Sequence, residues 1–312
     1  MYQPHHYYIY DLIPGFNNKS GTFHNTFGFR SMEIQKQKPE DVYRIFFVGG
    51  STTYESGVKE NAKVFTYLLE DELNKRLHLD VENNYKKIEV VNAGVGGYTS
   101  AENLIRIIFK ISEFSPDLVV IQHGLNDVLP RLQGEIKSDY VNFRKSWYQP
   151  RNVNNSLRDR VKRKIKNINF LSILFLRLGL LKPLLIGDFT IKEWSPRTDK
   201  LKQNDSKYFK RNTEYMVMFL KMIGADVILV TEPYNDNVIP GRAKGMPEHN
   251  ALLEEIAEKL SCSFFDLYKY FPKYEPYLVS DGGHASEKGS YKKYELLRDY
   301  LINDFQLFFK MM

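Results

Sequence analysis

A serine lies two glycines after a short and almost wholly apolar run near residue 50. Residues 43–48 read Tyr-Arg-Ile-Phe-Phe-Val, and the chain continues as Gly49-Gly50-Ser51. β-Branched and aromatic residues in so short a run predict a buried parallel strand, and the two glycines predict a sharp turn at its carboxyl end. Ligands of open α/β sheets bind at that end. The sequence therefore places Ser51 where a nucleophile would act, although a Gly-Gly-Ser turn taken alone is more often structural.

A serine hydroxyl attacks a carbonyl only when a base removes its proton, and the sequence offers a base near its C-terminal end. Residues 281–284 read Asp-Gly-Gly-His. Histidine titrates near neutrality, so His284 can serve as that base. Its second ring nitrogen needs an acceptor, and Asp281 lies three residues earlier with two flexible glycines between them. The alternative for His284 is a cap on the last helix.

Acyl transfer also requires hydrogen-bond donors directed at the oxyanion that forms in the transition state. Two more predicted strands lead to residues with such donors, because Gly97 closes the run Gly94-Val-Gly-Gly97 and Asn126 lies in His123-Gly-Leu-Asn126. The amides of Ser51 and Gly97 and the side chain of Asn126 form a candidate oxyanion hole. The alternative for Asn126 is a turn cap.

Three residues beside these positions are candidates for the substrate pocket. Gly50 and Thr52 flank Ser51, and His123 follows the third predicted strand. We assign His123 to the pocket lining and not to the base because no orienting carboxylate accompanies it. Asp127 is expected to hold loops together through local hydrogen bonds.

Alternating strands and helices must bring these distant residues together. The sequence predicts strands at 43–48, 87–93, 118–122, 227–230 and 263–266, and helices at 64–73, 99–113, 206–223, 248–260 and 286–308. Such alternation indicates a parallel sheet with helices on both faces. We expect a flavodoxin-like three-layer α/β/α sandwich whose five-stranded sheet has the order 2-1-3-4-5. The loops that carry the candidate residues then leave one edge of the sheet.

Two stretches interrupt this alternation within what we expect to be a single domain over residues 1–312. Residues 1–41 are aromatic and polar with turn-forming Pro, Gly and Asn residues, which predicts an irregular N-terminal arm. Residues 130–205 are basic and leucine-rich, and we expect them to form a helical insertion. Its segment 157–186 has three interpretations, namely a solvated helix packed on the domain, a lid over the site, or a contact with a membrane surface or partner.

The composition narrows the class of protein. The net charge of +6 permits an anionic ligand without requiring nucleic acid, and we expect none. The single cysteine, Cys262, excludes an internal disulfide, and no Cys/His cluster has zinc-site spacing. No lysine follows Ser51 as a P-loop requires, and Thr99 stands where a dinucleotide loop after Gly94 needs its third glycine. We therefore expect neither a metal nor an organic cofactor.

The expected location depends on targeting signals. The sequence has no secretory signal, and no run of about 18 uncharged apolar residues that would span a membrane. We expect a cytoplasmic protein. Membrane association is the alternative if the natural chain carries an anchor upstream of these residues.

Four short blocks, taken in order, resemble the SGNH (GDSL-type) serine hydrolase family. They are Gly49-Gly-Ser-Thr, Asn92-Ala-Gly-Val-Gly-Gly97, Gly124-Leu-Asn126-Asp127 and Asp281-x-x-His284 followed by Gly289. Gly50 stands where many members have aspartate, a departure that resembles bacterial Gly-Gly-Ser-Thr members. The resemblance covers residues 25–127 and 275–300, and the insertion at 130–205 has no counterpart in it.

The resemblance implies an esterase in which the triad and the oxyanion residues named above act together. The segment Asn25-Thr-Phe-Gly-Phe-Arg30 also resembles a stretch upstream of the serine in bacterial members linked to surface-polysaccharide genes. The implied substrate is a small acyl ester, and in particular an O-acetyl group on a carbohydrate. An O-acyltransferase with the same residues is the first alternative, and an inactive carbohydrate-binding or scaffold protein is the second.

Overall fold

The computed structural model describes residues 1–79, 83–144 and 198–311. The chain begins with an antiparallel hairpin of β1 (Tyr2–His5) and β2 (Ile9–Leu12). The central parallel sheet consists of β3 (Val42–Gly49), β4 (Lys87–Asn92), β5 (Leu118–Gln122), β6 (Asp226–Val230) and β7 (Ser263–Phe265). Its strand order is β4-β3-β5-β6-β7. This confirms the predicted order 2-1-3-4-5 and the α/β fold class.

Helices connect these strands and cover the sheet. They are α1 (Ser51–Tyr54), α2 (Phe65–Leu77), α3 (Ser100–Phe109), α4 (Val128–Arg131), α5 (Lys207–Met222), α6 (Pro240–Ala243), α7 (Met246–Lys259), α8 (Leu267–Tyr270), α9 (Glu287–Asp299) and α10 (Leu307–Lys310). The predicted helix at 286–308 is thus divided, because a π-helical turn at Tyr300–Asp304 separates α9 from α10. Across the described ranges, each helix is too short or too polar to cross a lipid bilayer.

Both faces of the sheet are buried, as near-continuous apolar strands predict. Successive residues of β3 point to opposite faces. One face packs on α2 and α9, and its buried core includes Ile45, Phe47, Val90, Val120, Phe65, Leu69 and Leu297. The other face packs on α3, α5 and α7, and its core includes Phe46, Val48, Val91, Ile121, Ile107, Val217 and Leu253. The sheet is therefore a rigid platform whose carboxyl edge carries the candidate residues.

The N-terminal arm differs from the expectation of an irregular segment, because residues 2–12 form the β1–β2 hairpin. Each strand has only four residues, and β1 contains Pro4, so neither shows a readable alternation of apolar and polar residues. The buried side chains of Tyr10 and Leu12 share a core cluster with Val95 and Tyr98 of the loop after β4. The hairpin is thereby attached to the edge of the sheet where the candidate residues lie.

The insertion predicted at 130–205 is described only at its two ends. Asn204 Nδ2 donates to the Arg131 carbonyl at 2.8 Å, and Arg131 Nε donates to the Asn204 carbonyl at 2.7 Å. These reciprocal bonds join the two ends at the base of the insertion. The segment 157–186 lies outside the described residues, so its three interpretations remain open, and the single domain stays a prediction.

The core packing gives a test of stability. Phe46 is fully buried and contacts the Phe29 ring edge-to-face, with 5.4 Å between the ring centroids. We expect Phe46→Ala to lower the free energy of unfolding by about 3–5 kcal/mol, because the lost ring leaves a cavity. Urea unfolding followed by circular dichroism measures the loss.

The control is Phe109→Ala, since the Phe109 side chain is 58% exposed. This variant should change the free energy of unfolding by less than about 0.5 kcal/mol. Equal losses in the two variants would contradict the assignment of Phe46 to the core.

Candidate active site

Ser51 is the first residue of α1, and Gly50 alone separates it from the end of β3. The turn requires its two glycines, because neighbouring atoms occupy the places of their missing side chains. A Cβ at Gly49 would lie 2.1 Å from the Gln122 carbonyl oxygen, and a Cβ at Gly50 would lie 2.7 Å from Asn126 Nδ2. Gly50, a candidate for the substrate pocket, therefore serves to let Asn126 approach the Ser51 peptide.

His284 and Asp281 meet Ser51 at this edge of the sheet. His284 Nε2 lies 2.7 Å from Ser51 Oγ, and His284 Nδ1 lies 2.6 Å from Asp281 Oδ2. Asp281 Oδ1 also accepts hydrogen bonds from the backbone amides of Gly283 at 2.9 Å and His284 at 3.0 Å. Partial burial raises the pKa of Asp281, but these hydrogen bonds outweigh it and hold the pKa at about 2. Asp281 is therefore ionised at neutral pH.

The loop that carries this pair is fixed by its own backbone. An antiparallel bridge joins Leu278 and Ala285, and the Val279 amide donates to the His284 carbonyl at 2.9 Å. Gly282 has φ of +71°, a backbone conformation that a glycine adopts without strain. The side chains of Asp281 and His284 are 51% and 27% exposed, so the site is reached from solvent.

The three candidate oxyanion donors belong to segments that contact one another. The Ser51 amide is the first of α1, and the first N–H groups of a helix have no intrahelical acceptor. Asn126 Nδ2 lies beside Gly50 and donates one hydrogen to the Tyr98 carbonyl at 2.9 Å. Gly97 directly precedes Tyr98, with φ of +80°. The arrangement brings together a serine hydroxyl, an imidazole with a carboxylate acceptor, and hydrogen-bond donors, and acyl transfer needs groups of these types.

A sequence comparison identifies the family of this chain. The model of the GDSL-like lipase/acylhydrolase family matches residues 47–291. The chain belongs to this family. It is accordingly a carboxylic ester hydrolase with an α/β fold, and the predicted resemblance is confirmed. A search of curated protein sequences found no match.

Solved structures similar to this GDSL-like hydrolase include two enzymes. One is a lipase/acylhydrolase from Enterococcus faecalis, with 18% sequence identity and a TM-score of 0.48 over 83% of this chain and 95% of that chain. The other is a variant of an acetyl xylan esterase from Geobacillus stearothermophilus, with 17% identity and a TM-score of 0.49 over 86% and 95% of the two chains.

The helix that carries Ser51 is held by side chains from distant parts of the hydrolase. Because α1 has a single turn, its last carbonyls need partners outside the helix. Three side chains supply the donors, namely Lys293 Nζ on the Thr52 carbonyl at 2.9 Å, Asn92 Nδ2 on the Thr53 carbonyl at 2.8 Å, and Arg30 Nη1 on the Tyr54 carbonyl at 2.9 Å. The position of Ser51 thus depends on the N-terminal segment, β4 and α9 together.

Arg30 explains the segment Asn25–Arg30, to which the sequence assigned no physical role. Its guanidinium is fully buried and donates through all three nitrogens. The acceptors are Asn61 Oδ1 and the carbonyls of Tyr54, Glu55, Val58 and Lys59. A lysine could not reach this set, since only a guanidinium has five N–H donors in a planar fork.

Thr52, a second candidate for the substrate pocket, is turned into the protein instead. Its hydroxyl donates to Glu232 Oε1, and Glu232 Oε2 accepts from the Leu125 amide at 2.5 Å. Burial raises the pKa of the Glu232 carboxyl. Glu232 therefore links α1 to the loop that carries Asn126.

His123, the third candidate for the pocket, is also in the interior. Its Nε2 lies 3.1 Å from Thr213 Oγ1, and its ring contacts the Phe209 ring of α5. Burial lowers the pKa of His123 to about 3, so the imidazole is neutral at physiological pH. This placement agrees with the expectation that His123 is not the base, but it puts His123 out of reach of solvent and not in a pocket lining.

Nothing in the sequence indicated Glu232, Lys293 or Arg144, whose guanidinium donates to the Gly97 carbonyl, as supports of the site. Glu232 lies in a predicted loop, Lys293 in a predicted helix and Arg144 in the predicted insertion. A charged side chain in such a place is usually solvated. Only the fold shows that all three are buried beneath the site. Across residues 1–79, 83–144 and 198–311, no group of three or more His, Cys, Asp or Glu side chains is placed to hold a metal ion.

Asp127 holds the loop of Asn126, but through residues distant in the sequence and not through the local hydrogen bonds that the sequence predicted. Its carboxylate accepts from the Ser100 amide at 3.0 Å, the Ser100 hydroxyl at 2.5 Å and the Tyr140 hydroxyl at 3.1 Å. Burial raises the pKa of Asp127 to about 7. The loop after β5 is thereby tied to the N-terminus of α3.

The raised pKa of Asp127 predicts a pH dependence of stability. An unfolded aspartate has a pKa of about 3.9, so between pH 4 and 7 the folded state binds one more proton than the unfolded state. The contribution of Asp127 to stability is therefore fully present below pH 4. It falls as the pH rises towards 7, by up to about 1.4 kcal/mol per pH unit.

Asp127→Asn removes this titration, and urea unfolding from pH 4.5 to 7 measures it. The free energy of unfolding of the natural protein should fall relative to that of the variant as the pH rises. The control is Asp139→Asn, at an exposed loop position. Its free energy of unfolding should change with pH in the same way as that of the natural protein. Parallel curves for the natural protein and Asp127→Asn would contradict the assignment.

Proposed function

We propose that the protein hydrolyses a small acyl ester, an O-acetyl group on a carbohydrate, with Ser51 as the nucleophile. The observation that carries the proposal is the hydrogen-bonded line from Asp281 through His284 to Ser51, with donor–acceptor distances of 2.6 and 2.7 Å. The segments that carry the candidate donors of Ser51, Gly97 and Asn126 contact one another. This arrangement favours a working enzyme over an inactive binding or scaffold protein.

The acylation step begins when Ser51 Oγ attacks the ester carbonyl carbon. His284 Nε2 takes the hydroxyl proton as the C–O bond forms, and the carbonyl oxygen becomes an oxyanion. The amides of Ser51 and Gly97 and the Asn126 side chain donate to that oxyanion. When the intermediate collapses, the bond to the alcohol breaks and His284 gives the proton to the leaving oxygen.

The deacylation step repeats this chemistry with water in place of the serine. His284 removes a proton from the water that attacks the acyl carbon, and then returns the proton to Ser51 Oγ as the acid leaves. Asp281 stays ionised throughout, because its pKa is held at about 2. Its negative charge stabilises the imidazolium form of His284 in both steps.

The proposed substrate class rests on two observations. The segment Asn25–Arg30 resembles a stretch of bacterial family members linked to surface-polysaccharide genes, and here it holds the helix of the nucleophile through Arg30. The half-exposed Asp281 and partly exposed His284 leave the site open to solvent. An open site suits an ester that is attached to a large, hydrated alcohol such as a polysaccharide.

A fluorophosphonate probe tests the role of Ser51 directly. We expect covalent labelling of the natural protein and of the control Ser56→Ala, an exposed serine in the next turn. We expect no labelling of Ser51→Ala, because the nucleophilic oxygen is missing. Labelling that persists in Ser51→Ala would remove Ser51 from the mechanism.

The same proteins separate hydrolysis from acyl transfer. Incubation with an O-acetylated oligosaccharide should release acetate, which a coupled acetate assay measures. If acetyl groups move instead to an added sugar acceptor, the protein is an acyltransferase with the same residues. A labelled protein that acts on p-nitrophenyl acetate but on no acetylated sugar would contradict the proposed substrate class.

The oxyanion role of Asn126 predicts a selective kinetic defect. Asn126→Ala should lower kcat for p-nitrophenyl acetate by about 10²–10³ and leave KM nearly unchanged, since the donor acts in the transition state. The matched control is Asn74→Ala, which also removes a side-chain amide that donates to a backbone carbonyl, here that of Ile88 at 2.8 Å. A rise in KM at constant kcat would instead assign Asn126 to ground-state binding.

A further inference from the structure

The loop that carries Gly97 is bound by a tyrosine of the N-terminal hairpin. Tyr10 lies in β2, is fully buried, and donates its hydroxyl hydrogen to the Gly96 carbonyl at 2.8 Å. The family match begins at residue 47. This contact therefore comes from a part of the chain that the matched family region does not include.

The bond to Gly96 determines the direction of the Gly97 amide. The carbonyl of one residue and the N–H of the next belong to the same planar trans peptide group, and they point in opposite directions. A donor that fixes the Gly96 oxygen thus fixes the opposite direction for the Gly97 N–H. Gly97 needs such a restraint, because a glycine with φ of +80° has no side chain to hold its backbone.

The next two carbonyls of the loop are bound in the same way. The Gly97 carbonyl accepts from Arg144 Nη2, and the Tyr98 carbonyl accepts from Asn126 Nδ2 at 2.9 Å. Arg144 is held in turn by Glu102, with 2.6 Å between Nε and Oε1. Three consecutive carbonyls are therefore bound to side chains, and Tyr10 holds the one that shares a peptide group with the Gly97 N–H.

Tyr10 is itself held firmly. Its ring contacts that of Tyr98, whose hydroxyl donates to the Tyr10 carbonyl. The next residue, Asp11, pairs with Lys110 at 2.7 Å and Arg106 at 3.3 Å, beside and within α3. Burial raises the pKa of Tyr10 to about 12, so its hydroxyl keeps the proton that it donates.

We propose that Tyr10 is a positioning residue for ester hydrolysis, because its hydroxyl directs the Gly97 N–H at the oxyanion. This inference rests on the proposed function. The Tyr10 hydroxyl binds the glycine loop at Gly96. It acts on the reaction through the backbone of that loop.

Tyr10→Phe tests the inference, since it removes one oxygen and keeps the buried ring. We expect kcat for p-nitrophenyl acetate to fall about tenfold with KM nearly unchanged. The expected loss is smaller than the 10²–10³ of a deleted donor, because the amide remains but is less well directed. The rate of fluorophosphonate labelling should fall by a similar factor. The pH dependence of kcat/KM should keep its form, because in this role Tyr10 directs a backbone amide and does not titrate with the base.

The matched control is Tyr300→Phe. The Tyr300 hydroxyl also donates to a backbone carbonyl, that of Phe264 at 3.0 Å, in a different part of the fold. We expect its kcat and labelling rate to stay within about twofold of the natural protein, as for substitutions away from the reacting atoms. Thermal unfolding of both variants sets an assay temperature at which each is folded.

The outcomes separate this inference from the proposed function. If neither the natural protein nor Tyr300→Phe is labelled or active, the proposed function fails. If both are active and folded Tyr10→Phe matches their kcat, the positioning role is overturned even if its melting temperature is lower. A Tyr10→Phe protein that does not fold at any assay temperature also overturns it, because the hydroxyl then serves the fold as a whole.

Discussion

The carbonyl groups of α1 cannot all accept hydrogen bonds within the helix, because α1 has a single turn. The arrangement of the site depends on the side chains that donate to these carbonyls instead. Unpaired backbone carbonyls beneath a site would be costly. Arg30, Asn92 and Lys293 donate to the last three carbonyls of α1. Arg30 lies before the sheet in the chain, Asn92 ends β4 and Lys293 lies in α9. The position of the serine is therefore a property of the completed fold.

The contacts that hold α1 place charged side chains in the protein interior. Lys293 is fully enclosed, with Glu55 at 3.0 Å and the Phe65 ring at 4.0 Å. Burial lowers the pKa of Lys293, while the negative charge of Glu55 opposes that shift. A buried ion pair adds little net stability against apolar residues of the same volume, but loss of one partner is strongly destabilising. The pair beneath α1 thus defines the geometry of the site more than it stabilises the fold.

The sequence predicted the features that depend on periodicity and on the positions of strand ends. The strand order and the meeting of Ser51 with His284 are of this kind, because parallel strands release their loops at one edge. It did not predict that Thr52 would turn towards Glu232, since that contact joins residues 180 positions apart through side-chain packing alone. The burial of His123 could not be predicted for the same reason. The sequence shows that a histidine follows a strand, but not that its ring packs against Phe209.

The carboxylate and the imidazole of the site lie within four residues, and the amides of the same short turn hold that carboxylate. One short turn therefore carries both groups, whereas the position of the serine depends on contacts with distant parts of the chain. The turn is also bound from outside, because the Asn235 amide donates to the Gly282 carbonyl at 2.8 Å. Substitutions within residues 278–285 would therefore disturb the Asp281–His284 pair first, whereas the position of the serine would respond to substitutions in distant parts of the chain.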